Sequence, residues 1–157
     1  WSEERQIEFL TEERERCLTN SLYLANKYLW IKDSDDRFKG ELKFKAWKAQ
    51  EYALFLIDCG LSLMFGKLRQ IGFTTVIGGV MGLRTMISKN FYCKMVAQKG
   101  DKSDEIFEHK IKYAISKCDS YMKTTIPNWA TEAVKFGYSD GKGSESSSSS
   151  MFRLRTS

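Results

Sequence analysis

Residues 52–87 read YALFLIDCGLSLMFGKLRQIGFTTVIGGVMGLRTMI. Only Asp58, Lys67, Arg69 and Arg84 carry charge here, although 29% of the whole chain is charged. A stretch so poor in charge belongs in a protein core or against something apolar. Gly60, Gly66, Gly72, Gly78, Gly79 and Gly82 punctuate it. A membrane-spanning helix needs about 20 mostly apolar residues. Tyr52 to Gly66 contains Asp58, and Gln70 to Leu83 is uncharged but short and bracketed by Arg69 and Arg84. A re-entrant hairpin would place Lys67 and Arg69 at its buried turn, which is costly. The expectation is therefore a folded core, with attachment to a membrane surface left open because it needs no full span.

The chain has 157 residues, 42% of them aliphatic or aromatic, enough for one domain with a real core. A single proline and little period-2 alternation, Leu42 to Ala46 being the clear case, favour helices. The expected fold is an all-α, single-domain bundle of about five helices over residues 1–137. Its first helix runs from the N-cap Ser2 to about Ile31, with Ile7, Leu10, Cys17, Leu24 and Tyr28 inward, and the polar run Asp33-Ser34-Asp35-Asp36 ends it. The second starts between Asp36 and Glu41 and reaches about Arg69; with no polar face between Tyr52 and Ile57 it is expected to be central. The third runs from about Val76 to Gln98, with Gly100 after its end. The fourth opens at Ser103-Asp104-Glu105, and Pro127 begins a short fifth that carries Trp129 and Phe136. Residues 138–157, rich in Gly and Ser, are expected to form a flexible tail.

Net charge is +5 and unevenly placed. The first twenty residues hold six glutamates against three arginines, a balance of −3 that leaves +8 for the rest. Such a remainder suits nucleic acid, anionic lipid or an acidic glycan coat, or serves solubility alone. Cys17, Cys59, Cys93 and Cys118 are widely spaced and accompany the single histidine His109, so neither zinc nor another metal is expected. They would be buried thiols in a reducing compartment, and three disulfide pairings are open in an oxidising one. The start at Trp1 is consistent with removal of a leader or with a trimmed chain.

Enzymatic chemistry finds little footing, and no cofactor is expected. His109 sits between Glu108 and Lys110 on an amphipathic helix, and the glutamates of the first helix are interleaved with arginines that pair with them. Gly78-Gly79-x-x-Gly82 lacks the preceding strand and the Lys-Ser/Thr of a phosphate loop. Trp47 among lysines reads as an amphipathic face rather than a nucleic-acid platform.

The run Lys67-Leu68-x-x-Ile71-Gly72-x-Thr74-x-Val76-Ile77-Gly78-x4-Leu83-x3-Ile87-x-Lys89 resembles the junction between the second and third long helices of the abalone sperm lysin family. The inferred helix lengths extend the likeness from the first helix to Lys99, and the family's all-α bundle is what it implies for the fold. The N-terminal helix is acidic, and Gly79, Val80, Met81 and Gly82 replace a basic track, so the chain is more similar to the family's fusagenic branch than to its egg-coat-dissolving one. The resemblance implies a secreted, non-enzymatic sperm protein in the lumen of the acrosomal vesicle and on the surface of the acrosomal process. There it would act on membrane lipid of the egg or sperm plasma membrane. The alternative is a stoichiometric binder of an egg-coat glycoprotein. Candidate membrane-contacting residues are Phe65, Phe73, Ile77, Val80 and Met81, and Lys39, Lys43, Lys45 and Lys48 are the candidates for an anionic surface. No nucleic-acid partner is expected, and the chain is expected to be a monomer or weak homodimer.

Overall fold

The computed structural model describes residues 2–32, 40–64, 72–97, 104–123, 127–130, 133–137 and 149–156. The fold is mixed α/β rather than an all-α bundle. Helix α1 spans Glu3–Thr19, α2 Ser21–Tyr28, α3 Lys48–Asp58 and α4 Phe73–Ile87. Helix α5 covers 104–117, with a π-helical stretch Phe107–Lys112 before Tyr113–Lys117, and a 3-10 turn follows at Ser120–Met122. Strands β1 (Trp30–Lys32) and β2 (Glu41–Lys43) form an antiparallel ribbon. Strands β3 (Tyr92–Ala97), β4 (Asn128–Ala130), β5 (Ala133–Gly137) and β6 (Ser149–Thr156) form a sheet of order β3-β6-β5-β4. The β3-β6 pair is parallel and the others antiparallel.

Each departure from the bundle has a local cause. The expected 28-residue first helix breaks at Asn20, whose backbone is extended and whose side chain accepts from the Tyr23 N–H to cap α2. Helix α3 stops well before Arg69 because Gly60 takes a left-handed conformation. The Gly60 N–H then reaches the Ile57 carbonyl and the Leu61 N–H the Leu56 carbonyl, the paired closure of a Schellman end. Helix α4 ends at Ile87, and Tyr92 to Ala97 run as a strand with Tyr92, Lys94 and Val96 outward and Cys93 and Met95 inward. The short helix expected after Pro127 is the β4-β5 hairpin.

The C-terminal segment departs furthest from expectation. Part of the supposed tail, Ser149–Thr156, lies inside the sheet between β3 and β5, and Phe152 and Leu154 are fully buried. Ser150, also buried, accepts from the Phe91 N–H and donates to the Ser88 carbonyl through its hydroxyl, tying β6 to the end of α4. Residues 138–148 lie outside the described set.

The centre of the molecule is α4, not the second helix of the sequence reading. It packs against α1, α2, α3 and α5 and against β3 and β6. Its three glycines make this possible: a Cβ on Gly79 would stand 2.5 Å from Leu29 Cδ1, and one on Gly82 would stand 3.1 Å from Ile111 Cγ2. A half-buried ion pair locks the surrounding helices. Arg84 donates to Asp58 Oδ1 at 2.7 Å and to the Leu18 carbonyl, while the backbone N–H and hydroxyl of Ser21 also donate to Asp58. Glu13, 4% exposed, joins α1 to α2 by accepting from Lys27 and Tyr28 at 2.7 Å and from Tyr23.

Candidate functional site

The sequence-derived membrane residues do not form a surface. Phe73 and Val80 are buried, Ile77 and Met81 are half-buried on α4, and Phe65 lies outside the described residues. Because α4 is surrounded on several sides, its apolar residues are consumed by the core. Exposed large apolar side chains are concentrated on α3 and the segments beside it, with others on α1 and β3.

Helix α3 packs against α2 and α4, and its other side carries exposed residues. At 3.6 residues per turn, positions 48, 52, 55 and 59 share one side. Lys48, Tyr52, Phe55 and Cys59 there are all exposed, whereas Gln50, Ala53 and Leu54 point into the protein. Tyr52 is 65% and Phe55 60% exposed. After the Gly60 turn, Leu61 and Met64 are exposed as well.

The segment leading into α3 adds the charge. From Lys43 to Trp47 the chain is extended, so side chains alternate: Phe44 and Ala46 are buried, and Lys43, Lys45 and Trp47 face outward. Two hydrogen bonds fix this segment. The Phe44 N–H donates to the Leu29 carbonyl, and the Ala46 N–H to Asn26 Oδ1 at 3.0 Å. Gln50 then accepts from the Trp47 N–H and closes the first turn of α3. Lysines and aromatics are thus both exposed along a braced stretch from Lys43 into α3.

Its charge is mainly basic. Among the described residues no carboxylate lies within ion-pair distance of Lys43, Lys45 or Lys48. Of the neighbouring acids, Glu41 and Asp58 are engaged by Lys117 and Arg84, and Glu51 stands in the first turn of α3. Three of the four sequence-derived lysines therefore share the aromatic surface, and Lys39 lies outside the described residues. Sequence reasoning missed Trp47, Tyr52, Phe55, Leu61 and Met64. The alignment of Tyr52 and Phe55 with Lys48 was visible, but with apolar residues on every side of Tyr52–Ile57 the pattern did not say which side was covered.

The size of the surface is informative. A Phe, Tyr or Trp carries roughly 150–250 Å² of side-chain area, so Trp47, Tyr52 and Phe55 expose on the order of 400 Å² together. That reaches the range of the largest apolar patch on a typical monomer before Leu61 and Met64 are added. No helix among the described residues is long and apolar enough to cross a membrane.

A second concavity, a cleft of about 390 Å³, opens between β1, the first turn of α4 and the π-helical part of α5, with His109 and Lys110 on its wall. The cysteines divide by environment: burial pushes Cys17 and Cys118 up to about 12 and Cys93 up to about 11, whereas Cys59 is exposed on the α3 face. No group of His, Cys, Asp or Glu among the described residues is arranged to hold a metal ion.

No protein-family model matches the chain, and a search of curated proteins finds no match.

Proposed function

We propose that this protein binds anionic bilayers through the Lys43–Met64 surface and disturbs their outer leaflet without spanning them. The observation that carries the reading is the exposure, along one stretch of chain, of Trp47, Tyr52 and Phe55 together with Lys43, Lys45 and Lys48, which have no carboxylate within ion-pair distance among the described residues. Aromatic rings settle at the headgroup level, and lysines near a negative leaflet contribute about 1 kcal/mol each. Burying half of the roughly 400 Å² of aromatic surface would contribute about 5 kcal/mol before the costs of association. Helix α3 is too short to cross a bilayer, so it lies in the interface.

The junction motif gives this activity a setting: a secreted acrosomal protein that promotes sperm-egg fusion without enzymatic chemistry. That setting rests on the motif alone, since the chain does not adopt the bundle the resemblance implies. Vesicles containing phosphatidylserine test the reading. Wild-type protein at micromolar concentration is expected to cause leakage and lipid mixing, and Y52S/F55S and K43Q/K45Q/K48Q are each expected to lower both at least tenfold. Vesicles left intact by folded wild-type protein would refute it, and dissolution of egg envelope without leakage would point to an egg-coat glycoprotein as the target.

A further inference from the structure

The cleft between β1, α4 and α5 is lined by none of the residues assigned to the membrane surface, although its Trp30 pairs with Lys43 across the β1-β2 ribbon, and its lining is chemically specific. Trp30 and Lys32 come from β1, Thr75 from the first turn of α4, and Glu105, His109 and Lys110 from α5. A π-helical stretch holds His109 and Lys110 on this wall, and such departures from α geometry are frequent at functional sites. Neither Lys32 nor Lys110 has a carboxylate within ion-pair distance among the described residues. Two lysines with no ion-pair partner among the described residues, one glutamate and one indole thus line the same space.

We infer that this cleft is a binding site for a polyhydroxylated ring bearing an oxyanion ester, a sugar sulfate or a ring phosphate. Each part of the lining matches one part of such a ligand. Lys32 and Lys110 meet the ester oxygens, the Thr75 hydroxyl and a His109 N–H supply further donors, and the Trp30 ring offers an apolar wall for the C–H face of the ring. Glu105 discriminates. Its carboxylate repels a bare anion but accepts from a ring hydroxyl, so a simple sulfate or phosphate ion satisfies the cleft poorly. The volume, about 390 Å³, is at the small end of ligand sites and suits one or two rings.

The test follows the Trp30 indole and His109 imidazole resonances on titration with glucose 6-sulfate and with inositol 1,4,5-trisphosphate. Glucose and inorganic sulfate are run alongside. Binding of the sulfate ester identifies a saccharide source, and binding of the inositol phosphate alone identifies a lipid headgroup; either carries the inference. The ester is expected to bind at least tenfold more tightly than glucose or sulfate. K32Q and K110Q are each expected to weaken it fivefold or more. E105A is expected to act in opposite directions, weakening the ester and strengthening inorganic sulfate. Thermal unfolding of each variant verifies that it folds. Measurable but equal binding of glucose and its ester, an E105A effect of one sign on inorganic sulfate and on the ester that binds, or no binding of either ester at 10 mM would overturn the inference. Because Y52S/F55S on α3 leaves this lining and the β1-β2 ribbon intact, it is expected to bind the ester as wild type does, so the membrane reading and this one fail separately.

Discussion

Adjacent glycines in α4 are expected to respond to alanine with opposite signs. Replacing Gly by Ala inside a helix stabilises by about 0.8–1.0 kcal/mol if the methyl fits. At Gly78 it does: the nearest atom to the added Cβ is Ile111 Cγ1 at 3.5 Å, ordinary contact. At Gly79 it does not, because Leu29 Cδ1 would lie 2.5 Å away and Cδ2 3.3 Å away. Leu29 is 1% exposed and its carbonyl accepts from Phe44, so it has little room to retreat. Overpacking of this kind costs about 1–3 kcal/mol. Subtracting the helix gain leaves Gly79→Ala destabilising by about 1 kcal/mol and Gly78→Ala stabilising by about 0.5–1 kcal/mol. Urea unfolding of the two variants measures this directly. With a slope of roughly 2 kcal/mol per molar, their midpoints should differ by about 0.8–1 M. In a double-mutant cycle, Leu29→Ala should relieve part of the Gly79→Ala cost. Equal shifts at both glycines, or no coupling to Leu29, would refute the packing of α4 against the α2-β1 corner.

Phe152→Ala should destabilise the protein by about 3–5 kcal/mol in the same assay, since the ring is fully buried in β6; a tail residue would change it by less than about 0.5 kcal/mol. Burial pushes the Glu13 carboxyl up, but donation from Lys27, Tyr28 and Tyr23 and the Lys27 charge outweigh it and hold the group below its ordinary 4.5. Its contribution is thus full above the ordinary carboxylate range and lost as pH falls through the lower native value, so Glu13→Gln should flatten the acid limb of a stability-pH profile. At pH 8 a thiol reagent should modify Cys59 quickly and Cys17, Cys93 and Cys118 at least a hundredfold more slowly until denaturant is added, because burial suppresses both access and the thiolate.

Helical positions were legible where an amphipathic stripe met a cap. The Ser2 start, the inward Cys17, Leu24 and Tyr28, and the buried Phe107, Ile111, Ala114 and Ile115 of α5 all follow from 3.6-residue spacing, whereas Ile7, expected inward on the same stripe, is exposed on α1. The strands were not, and for identifiable reasons. Tyr92 to Ala97 mixes Lys94 with an outward Tyr92 and Val96, so both faces read as apolar and the alternation is hidden. Phe152, Arg153 and Leu154 alternate plainly, but the serines before them pull the composition toward disorder; the burial of Phe152 and Leu154 depends on β3 and β5, far away in sequence. Leu42 to Ala46 did carry a period-2 signal, and it marks the extended segment that presents Lys43, Lys45 and Trp47. The basic half of the candidate surface was therefore readable. Its aromatic half was not, because whether α3 or α4 is central depends on tertiary packing: the α4 glycines admit Leu29, Ile111 and Ile115 and draw that helix inward.

Depth-resolved quenching at Trp47 tests the membrane surface most directly. In a variant with Trp1, Trp30 and Trp129 replaced by phenylalanine, Trp47 is the remaining indole. On binding phosphatidylserine vesicles, its emission should shift to the blue. Lipids brominated near the headgroup end of the acyl chain should quench it more than those brominated deeper, as an interfacial α3 requires. Protein that binds the vesicles while Trp47 keeps its aqueous emission and escapes quenching would contradict the assignment of the Lys43–Met64 surface.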